Sequence, residues 1–443
     1  MTWLKFSEEE FTHAITNCND SSAPGPNKVT WGHLKCILKD KSCLRNIISI
    51  TNACFDLSHW PNHFKKLTTI VIPKPNKPSY DSVKSFRPIV LLNTLGKLIE
   101  KVIGERLQFQ AILNNFIHQS QLGGLKFKST TDAGIALTHI ICTGWIKHLL
   151  TSFLVFDIAQ FFSSLNHHLL SLILDKAGFG PQVVNFFSNY LVNRKTSYCW
   201  NNFALHSFNV NVEVGQESAL SPILSTLYLS LFFHILEKRL KTLDLKISTL
   251  SFVDNGLLLT QSKSFHVSNA RLFSSYNIAL TLLSKFGLQV EHSKTEVFHF
   301  SRSLTDFSPS PLDLSSISSL LLVPKDTWKH LDFIFDRKLS FHKHIDYYAN
   351  KAIFIVKCMK ILENSTRGLN PHQKCLLYRS CALPIALYGF QLWFYSKAPL
   401  LYPLNTLGKL QRRVALWILG AFKMSPSYSI EAITGLIPIH LHF

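Results

Sequence analysis

Three apolar stretches of the chain have patterns that predict three different elements. Residues 153–156 are continuously apolar, which is typical of a strand buried on both faces. Residues 251–259 place Asn255-Gly256 between two alternating apolar runs, and this pattern predicts a tight hairpin. Residues 219–236 lack formal charge, but Pro222 and several hydroxyl side chains favour a buried helix over a membrane span.

Two aspartates lie in these predicted strands. Asp157 ends the strand 153–158, where an ionised carboxylate costs several kcal/mol unless something pairs with it. If that strand lies beside the hairpin 247–260, Asp157 and Asp254 converge, which is a geometry suited to divalent cations. In the simpler alternative, Asp254 is only a turn residue.

Composition indicates a folded protein with a polyanionic partner. The 443 residues are 47% hydrophobic and 12% aromatic, which allows a sizeable core and excludes disorder as the general state. The formal charge of +19 comes from 46 Lys and Arg against 27 Asp and Glu. Such a balance favours nucleic acid or an anionic membrane surface as the partner.

The basic residues are concentrated in two regions, 61–106 and 350–424. In the second region the aromatic residues Trp393, Tyr395 and Trp417 are interleaved with basic residues, while Glu363 is the single acidic residue. A solvated face is the ordinary interpretation of a charge run, whereas this mixture suits phosphate contact and base stacking. The candidate nucleic-acid-binding residues are Lys351, Lys357, Lys360, Arg412 and Arg413.

Other features bound the setting of the protein. Residues 301–325 are rich in serine and proline, which predicts a linker or exposed loop and a candidate domain boundary. The nine cysteines include no C-x-x-C pair, so neither a disulfide framework nor a zinc cluster is indicated. The acidic N-terminus does not resemble a secretory signal, and an intracellular location, nuclear or cytoplasmic, is expected.

Eight motifs follow one another in an order that closely resembles the reverse transcriptases of non-LTR (LINE-type) retrotransposons, most like those of fungi. The resemblance covers essentially the whole chain. The motifs are APGPNKVTWGHLK, TIVIPKPNKPSYDSVKSFRPIVLLNTLGKLIEKVIGERL, SQLGGLKFKSTTDA, FDIAQFFSSLNHHLL, GQESALSPILSTLYL, SFVDNG, FGLQVEHSKTEVFHF and WKHLDFIFDRKLSFHKHI.

The resemblance implies an α+β right-hand polymerase with an antiparallel palm sheet and a helical C-terminal region. Its expected parts are a lead-in at 1–60, fingers at 61–150, a palm at 151–310, and the palm-thumb junction, thumb and basic tail at 311–443. Mg²⁺, or Mn²⁺ in its place, is the implied cofactor. An RNA template, a DNA primer and deoxynucleoside triphosphates are the implied partners, and no membrane is expected.

The resemblance also implies roles for individual residues. Asp157 and Asp254 match the metal-binding and catalytic aspartates, and Lys294 matches a proton donor to the leaving pyrophosphate. Phe162 matches an aromatic gate against the ribose 2′-hydroxyl, although an ordinary core phenylalanine is the alternative. The remaining matches are Lys74 and Arg87 for the incoming triphosphate, and Gln216 and Ser218 for the template loop.

This chain departs from the family at several of these motifs. Asn255 stands where the family has the second aspartate of a pair, so one metal site loses a negative ligand while the hairpin is retained. Further departures are Glu213, Glu217 and Asp332 in place of glycine, and Asn27 in place of aspartate. Glycine permits positive φ or close backbone approach, and glutamate adds bulk and a charge that repels phosphate.

The expected protein is therefore a degenerate RNA-directed DNA polymerase with weak or no activity. It is also expected to be a shortened copy, because endonuclease and ribonuclease H regions are absent from the sequence. A non-catalytic nucleic-acid-binding remnant is the main alternative. A protein anchored in a membrane or matrix by residues 219–236 is the other.

Overall fold

The computed structural model describes residues 3–75, 77–200, 203–210, 218–303, 311–315, 321–361, 368–394 and 401–442. The chain divides into two compact units. The first unit comprises Met1–Lys128, Leu154–Leu259 and Arg271–Thr295, and the second comprises Ser129–Phe153, Thr260–Ala270 and Glu296–Phe443.

The part of the chain up to Asp254 contains most of the first unit, together with α5 and the start of β3, which belong to the second. Its helices are α1 (Glu8–Thr16), α2 (Trp31–Ile37), α3 (Lys41–Asp56), α4 (Thr94–Leu113), α5 (Thr130–Ile146), α6 (His167–Lys176), α7 (Pro181–Leu191) and α8 (Ser221–Thr242). Its strands are β1 (Lys66–Pro73), β2 (Phe86–Leu91), β3 (Leu150–Asp157), β4 (Arg194–Trp200), β5 (Phe203–Ala204), β6 (Phe208–Val210) and β7 (Ile247–Phe252). Helical turns of 3₁₀ type cover Val83–Ser85 and Phe161–Ser164.

The rest of the chain is mainly helical. Its strands are β8 (Asn255–Ser262), β9 (Glu296–Phe300), β10 (Leu312–Asp313), β11 (Leu321–Leu322), β12 (Thr327–His330) and β13 (Phe333–Asp336). Its helices are α9 (Phe265–Lys285), α10 (His342–Lys360), α11 (Pro371–Leu377), α12 (Leu383–Ala386), α13 (Phe390–Trp393), α14 (Leu401–Leu419) and α15 (Ser427–Thr434). A π-helical turn covers Tyr378–Ala382, and 3₁₀ turns cover His292–Lys294 and Ile439–Leu441.

Local sequence explains where several helices begin. Ser7 caps α1 and Ser129 caps α5, and in both cases an acidic side chain three residues later accepts a hydrogen bond from the backbone N–H of the cap residue. These reciprocal bonds satisfy backbone N–H groups that a helix leaves unpaired in its first turn. Asn370 caps α11 in the same way, followed by a proline whose fixed φ suits the first helical position.

Most of the strands belong to two sheets. The order β7-β8-β3-β9 forms a four-stranded sheet. The second sheet pairs β1 antiparallel with β2 and parallel with β4, and β5 and β6 pair with β4. Strands β3 and β8 each pass from one unit into the other, and their ends at Asp157 and Asn255 lie in the first unit. The expected mixture of helix and sheet is confirmed, whereas the four-part division of the chain stays a prediction.

The predicted buried strand is confirmed, and the predicted turn is displaced. Residues 151–157 of β3 are all buried, as continuous apolar character indicated. The hairpin is present and β8 lies next to β3, but the turn is formed by Val253 and Asp254. Asn255 and Gly256 are instead the first two residues of β8, where Gly256 lies against the ring of Phe156 in β3.

Residues 219–236 fall mainly in α8, which confirms the prediction of a buried helix. Leu224, Leu227, Tyr228 and Ser230 are all fully buried in it. Within the part of the chain that the structure describes, no helix combines the length and apolarity needed to cross a membrane. The serine- and proline-rich residues 301–325 lie inside the second unit, where β10 and β11 form a short ribbon.

Candidate active site

Asp157 is a buried carboxylate at the end of β3. The residue is 8% exposed, and its Oδ2 atom accepts a hydrogen bond from Nζ of Lys294 at 2.5 Å. The 3₁₀ turn His292–Lys294 places this lysine, and the backbone N–H of Glu291 donates to the carbonyl of Asp157. A buried carboxylate requires such a partner, because an unpaired charge at this depth costs several kcal/mol.

The hairpin brings Asp254 to the same place. The backbone carbonyl of Asp254 accepts a hydrogen bond from the N–H of Ile158 at 3.0 Å, so the turn is joined to the residue after Asp157. Val253 has φ +58°, a left-handed conformation that is costly for a β-branched residue. The surrounding contacts therefore hold this turn in place at a cost in backbone energy.

The start of the motif SQLGGLKFKSTTDA, to whose residues no individual role was assigned from the sequence, supports the turn. Ser251 of β7 donates its N–H to the carbonyl of Ser120, and its own carbonyl accepts from the N–H of Leu122. A Cβ atom on Gly123 would lie 2.7 Å from the backbone nitrogen of Val253. The glycine pair in the motif SQLGG was the available signal, since glycine permits this backbone approach.

Gly256 is a second residue whose role only the structure reveals. A Cβ atom at this position would lie 2.3 Å from Cζ of Phe156, whose ring is fully buried below the strand. This separation is shorter than a van der Waals contact. Strand β8 can therefore pass over the ring of Phe156 only if residue 256 is glycine. The hairpin tip and the end of β3 are consequently held close together.

Asn255 is paired with the aspartate that precedes it. Its Nδ2 atom donates a hydrogen bond to Oδ1 of Asp254 at 3.1 Å. An aspartate in its place would bring a second negative charge against Asp254 instead of a donor. The amide thus lowers the negative charge of the site by one and stabilises the ionised form of its neighbour.

The electrostatics of the site follow from burial and from these pairs. Burial, and next the negative charge of Asp157, raises the pKa of Asp254 above its usual range. The hydrogen bond from Lys294 to Asp157 raises the pKa of that lysine, which therefore keeps its proton. The ammonium of Lys294 thus faces two close carboxylates, one of which it contacts directly.

The structure places the predicted finger cations near this site. Lys74 follows β1, and its backbone N–H donates to the carbonyl of Ser85 at 2.8 Å. Its pKa is lowered first by burial and then by the positive charges of Lys77, Arg87 and Lys294. These cations therefore lie within electrostatic reach of one another and of the lysine that contacts Asp157.

Phe162 lies in the 3₁₀ turn Phe161–Ser164, directly after a left-handed residue, Gln160. Its ring is half-buried and contacts that of Phe161 at a centroid distance of 5.5 Å. Phe161 is the core residue of the pair, at 3% exposure. Phe162 is thus less buried than its neighbour, and its role as an aromatic gate stays a prediction.

Ser218 is anchored inside the first unit. Its hydroxyl donates to Oε2 of Glu100 at 2.7 Å, and the hydroxyl of Tyr190 donates to the other carboxylate oxygen at 2.8 Å. All three residues are buried, so Ser218 holds the chain at the start of α8 through its side chain. Gln216, with Glu213 and Glu217, lies outside the described residues.

The other departures from the family have local explanations. Asn27 accepts a hydrogen bond from the N–H of Val29 and closes a short turn. Asp332 has φ +64° in the two-residue turn between β12 and β13, and its carboxylate pairs with Lys329 at 2.9 Å. The positive φ expected at this position is present, and aspartate tolerates it better than most side chains.

The described residues fit one divalent cation. Asp157, at the end of β3, and Asp254, in the hairpin turn, are hard oxygen donors, and burial followed by the charge of Asp157 raises the pKa of Asp254. A cation between the carboxylates would relieve their repulsion. No cluster of three or more His, Cys, Asp or Glu side chains suited to a metal occurs among the residues described, which is consistent with the neutral Asn255.

The predicted C-terminal cations fall into two groups. Lys357 and Lys360 on α10 and Arg413 on α14 line one pocket. Arg412 instead donates to the hydroxyl of Ser427 and to a backbone carbonyl, and Lys351 lies 5.8 Å from the ring centroid of Tyr348. The structure thus brings three of the five residues together.

Comparison with known proteins agrees with this geometry. Residues 52–335 match the family described as reverse transcriptase (RNA-dependent DNA polymerase). The chain is 24% identical over 392 residues to the probable RNA-directed DNA polymerase from transposon BS of Drosophila melanogaster, covering 87% of this chain and 42% of that protein. It is 22% identical over 450 residues to the Pol polyprotein of the type-1 retrotransposable element R1 of Bradysia coprophila, covering 97% and 41%.

A third relative is the RNA-directed DNA polymerase from the mobile element jockey of Drosophila melanogaster, at 24% identity over 386 residues, with 87% of this chain and 41% of that protein covered. The chain spans about two fifths of the length of these relatives. Among solved structures, telomerase from Candida albicans in complex with a fragment of telomeric RNA has a TM-score of 0.45 at 13% identity, over 86% of this chain and 68% of that one.

The matched segment covers more than half of the chain and contains both aspartates, the lysine beside them, and Lys74 and Arg87. The three relatives come from flies, so the expected likeness to fungal elements stays a prediction. The order of motifs indicated the same assignment as the family match. The chain belongs to the reverse transcriptase family, as the domain of a non-LTR retrotransposon.

Proposed function

We propose that this domain adds deoxynucleotides to the 3′ end of a DNA primer on an RNA template, at a rate reduced by Asn255. The observation that carries the proposal is the convergence of Asp157 and Asp254, joined through the backbone bond from Ile158 to Asp254. The expected fingers, palm and thumb belong to this proposal.

Asp157 and Asp254 would hold the metal ion, Mg²⁺ or Mn²⁺. A divalent ion at this position supplies Lewis-acid activation of a hydroxyl and neutralisation of phosphate charge. The buried setting of Asp157 keeps its carboxylate directed at one position, and the support of the hairpin by Ser120 and Leu122 does the same for Asp254.

The cations have separate tasks in this proposal. Lys294 remains protonated because Asp157 raises its pKa, and it is exposed enough to pass a proton to a leaving phosphate. Lys74 and Arg87 neutralise the triphosphate of the incoming nucleotide, for which a guanidinium fork is well suited. Phe162 presents a partly exposed ring after the β3 strand, which supports a steric role beside the sugar.

Asn255 is the residue that limits the reaction. An amide offers a neutral oxygen where the family has a carboxylate, so the transition state loses one stabilising charge. A loss of about 4 kcal/mol in transition-state stabilisation corresponds to a rate about a thousandfold lower. Folding is retained because the amide hydrogen-bonds within the turn.

Primer extension on an RNA template, with Mg²⁺ and then Mn²⁺, tests the proposal. The unaltered chain is compared with Asn255→Asp, alone and together with Glu213→Gly and Glu217→Gly. Asp157→Asn in each background controls for contaminating polymerase. Extension that depends on Asp157 supports the proposal, and silence of every version under both metals contradicts it.

Nucleic-acid binding without catalysis is the second candidate function. The neutral Asn255 and the cationic pocket formed by Lys357, Lys360 and Arg413 favour it. Salt-dependent binding of a primer–template by a chain that incorporates no nucleotide would identify this function. Incorporation by the unaltered chain would exclude it.

A further inference from the structure

A pocket of about 340 Å³ lies between α10 and α14 in the second unit. Its floor is apolar, with Ile353 and Val356 from one helix and Leu410 and Val414 from the other. Pockets of this size suit small organic groups, which are held by an apolar lining and oriented by a few polar side chains. The two helices therefore leave room for one compact group at their contact.

The rim of the pocket is cationic. Lys357, Lys360 and Arg413 line it and are exposed, and Nζ of Lys374 lies 5.5 Å from the ring centroid of Trp417. No carboxylate is among the lining residues in the part of the chain that the structure describes. Positive side chains gathered where the described lining supplies no counterion attract an anion of matching size.

Trp417 is the aromatic residue of this lining. The residue lines the pocket and is 7% exposed, and its buried Nε1 has no hydrogen-bond partner among the described residues. Buried donors are nearly always satisfied, so this one is suited to an acceptor that a bound group would supply. Carbonyl and phosphate oxygens of a nucleotide are acceptors of this kind.

We infer that this pocket binds one unstacked nucleotide of a single-stranded segment of nucleic acid. The base packs on the apolar floor, and its flanking phosphates contact Lys357, Lys360 and Arg413. This arrangement joins apolar packing of the base with phosphate contact, the same combination of apolar surface and cationic groove with which proteins hold single strands. The inference rests on the proposed function only in that nucleic acid is the polymer bound.

Fluorescence anisotropy of a short labelled single-stranded RNA, with the full chain, measures this site. Lys357→Ala with Arg413→Ala is compared with Lys343→Ala with Lys409→Ala, which removes the same charge from the same two helices outside the pocket. The pocket pair weakens binding about tenfold and lowers the slope of log K against log salt by about 1.4, or 0.7 for each lost phosphate contact. The control pair changes the Kd by less than about threefold.

The contribution of the base is measured separately. Ile353→Phe fills part of the floor, and it is expected to weaken binding of the normal strand more than that of an abasic strand. Equal losses for both strands, or competition by polyglutamate as strong as by RNA, would overturn the assignment to a nucleotide. Equal effects of the pocket and control pairs would overturn the site itself.

Primer extension separates this inference from the proposed function. Asp157→Asn abolishes extension but leaves the difference between the two pairs of substitutions unchanged, because the catalytic aspartate lies in the first unit. A chain that never extends a primer but shows that difference retains the pocket as a binding site. A chain that extends a primer but shows no difference between the two pairs of substitutions retains the active site and not the pocket as a binding site.

Discussion

Nδ2 of Asn255 donates a hydrogen bond to the carboxylate of Asp254 at 3.1 Å, and this single contact distinguishes the site from one with two adjacent carboxylates. This hydrogen bond gives the carboxylate of Asp254 a donor in the absence of a cation. The hairpin therefore retains an ordered tip even though it has lost a negative ligand. The first prediction follows from exchanging this donor for a charge.

Asn255→Asp is expected to make the metal-free protein less stable by about 1 kcal/mol, because the half-buried carboxylate of Asp254 then faces a second one. Mg²⁺ should reverse the loss, since a cation bound only by the folded state stabilises it. Thermal unfolding with EDTA and with Mg²⁺ measures both effects, and Asn27→Asp controls for an added charge elsewhere. Equal responses of both variants to Mg²⁺ would contradict the predicted cation site.

The second prediction concerns the contribution of the buried Glu100 carboxylate to stability. Glu100 is 1% exposed and accepts from both Ser218 and Tyr190. Glu100→Ala removes the acceptor that the two buried hydroxyls share and leaves them their contact with each other at 3.1 Å, so it should cost about 3 kcal/mol in the free energy of unfolding. Urea denaturation measures the loss.

Glu105→Ala is the control on the same helix. Its partly exposed carboxylate pairs with Lys126, and its removal should cost about 1 kcal/mol or less. Glu100→Gln should fall between these values, because an amide replaces one acceptor with a donor. A cost for Glu100→Ala as small as the control would show that the buried contacts carry no weight.

These contacts mark the limit of what the sequence predicts. The buried strand, the hairpin and helix α8 follow from apolar patterns of short range, and all three were predicted. The partners of Ser218 were not, because Glu100 lies 118 residues away and no local pattern pairs them. The support of Val253 by Gly123 is equally distant, and the turn was misplaced because Asn-Gly is the stronger local turn signal.

The turn between β12 and β13 provides a third test. Leu331 and Asp332 have φ values of +49° and +64°, the conformation in which Asn-Gly is preferred. Leu331→Asn with Asp332→Gly should stabilise the protein by about 1 kcal/mol, by relieving the backbone cost at leucine. Thermal unfolding measures the gain.

Asp332→Gly alone should gain less than the pair of substitutions, because it also removes the ion pair with Lys329. Lys329→Ala measures that ion pair separately. A destabilised double variant would mean that the leucine side chain contributes more through packing than its backbone conformation costs.

His299 predicts a dependence of stability on pH. It is 3% exposed, its Nδ1 lies 2.7 Å from the hydroxyl of Ser152, and burial lowers its pKa from 6.5 to about 4. The unfolded chain therefore binds a proton between pH 6.5 and 4 that the folded chain does not, so stability falls as the pH falls through this window. The loss across it is about 3 kcal/mol.

His299→Asn keeps a group that can bond Ser152 and removes the ionisation, so the dependence of the unfolding free energy on pH should flatten by about this amount. His372→Asn on the exposed face of α11 should leave the dependence unchanged. Urea denaturation at several pH values between 4 and 7 gives the comparison. Parallel curves for the two variants would show that His299 is not the source.

Gly256 and Phe156 are expected to be coupled through the space that the missing Cβ leaves. Gly256→Ala places a methyl group against the ring and should cost about 2 kcal/mol, because a close-packed core resists added volume. Phe156→Leu alone also destabilises, since it removes part of a fully buried ring. In the double variant the smaller side chain accommodates the methyl group, so its loss should be smaller than the sum of the two single losses. Strict additivity in urea denaturation would show that the ring does not determine the need for glycine. If the double variant loses less free energy of unfolding than that sum, the contact between Gly256 and Phe156 helps to fix the position of the hairpin. It then also helps to fix the distance between the two aspartates.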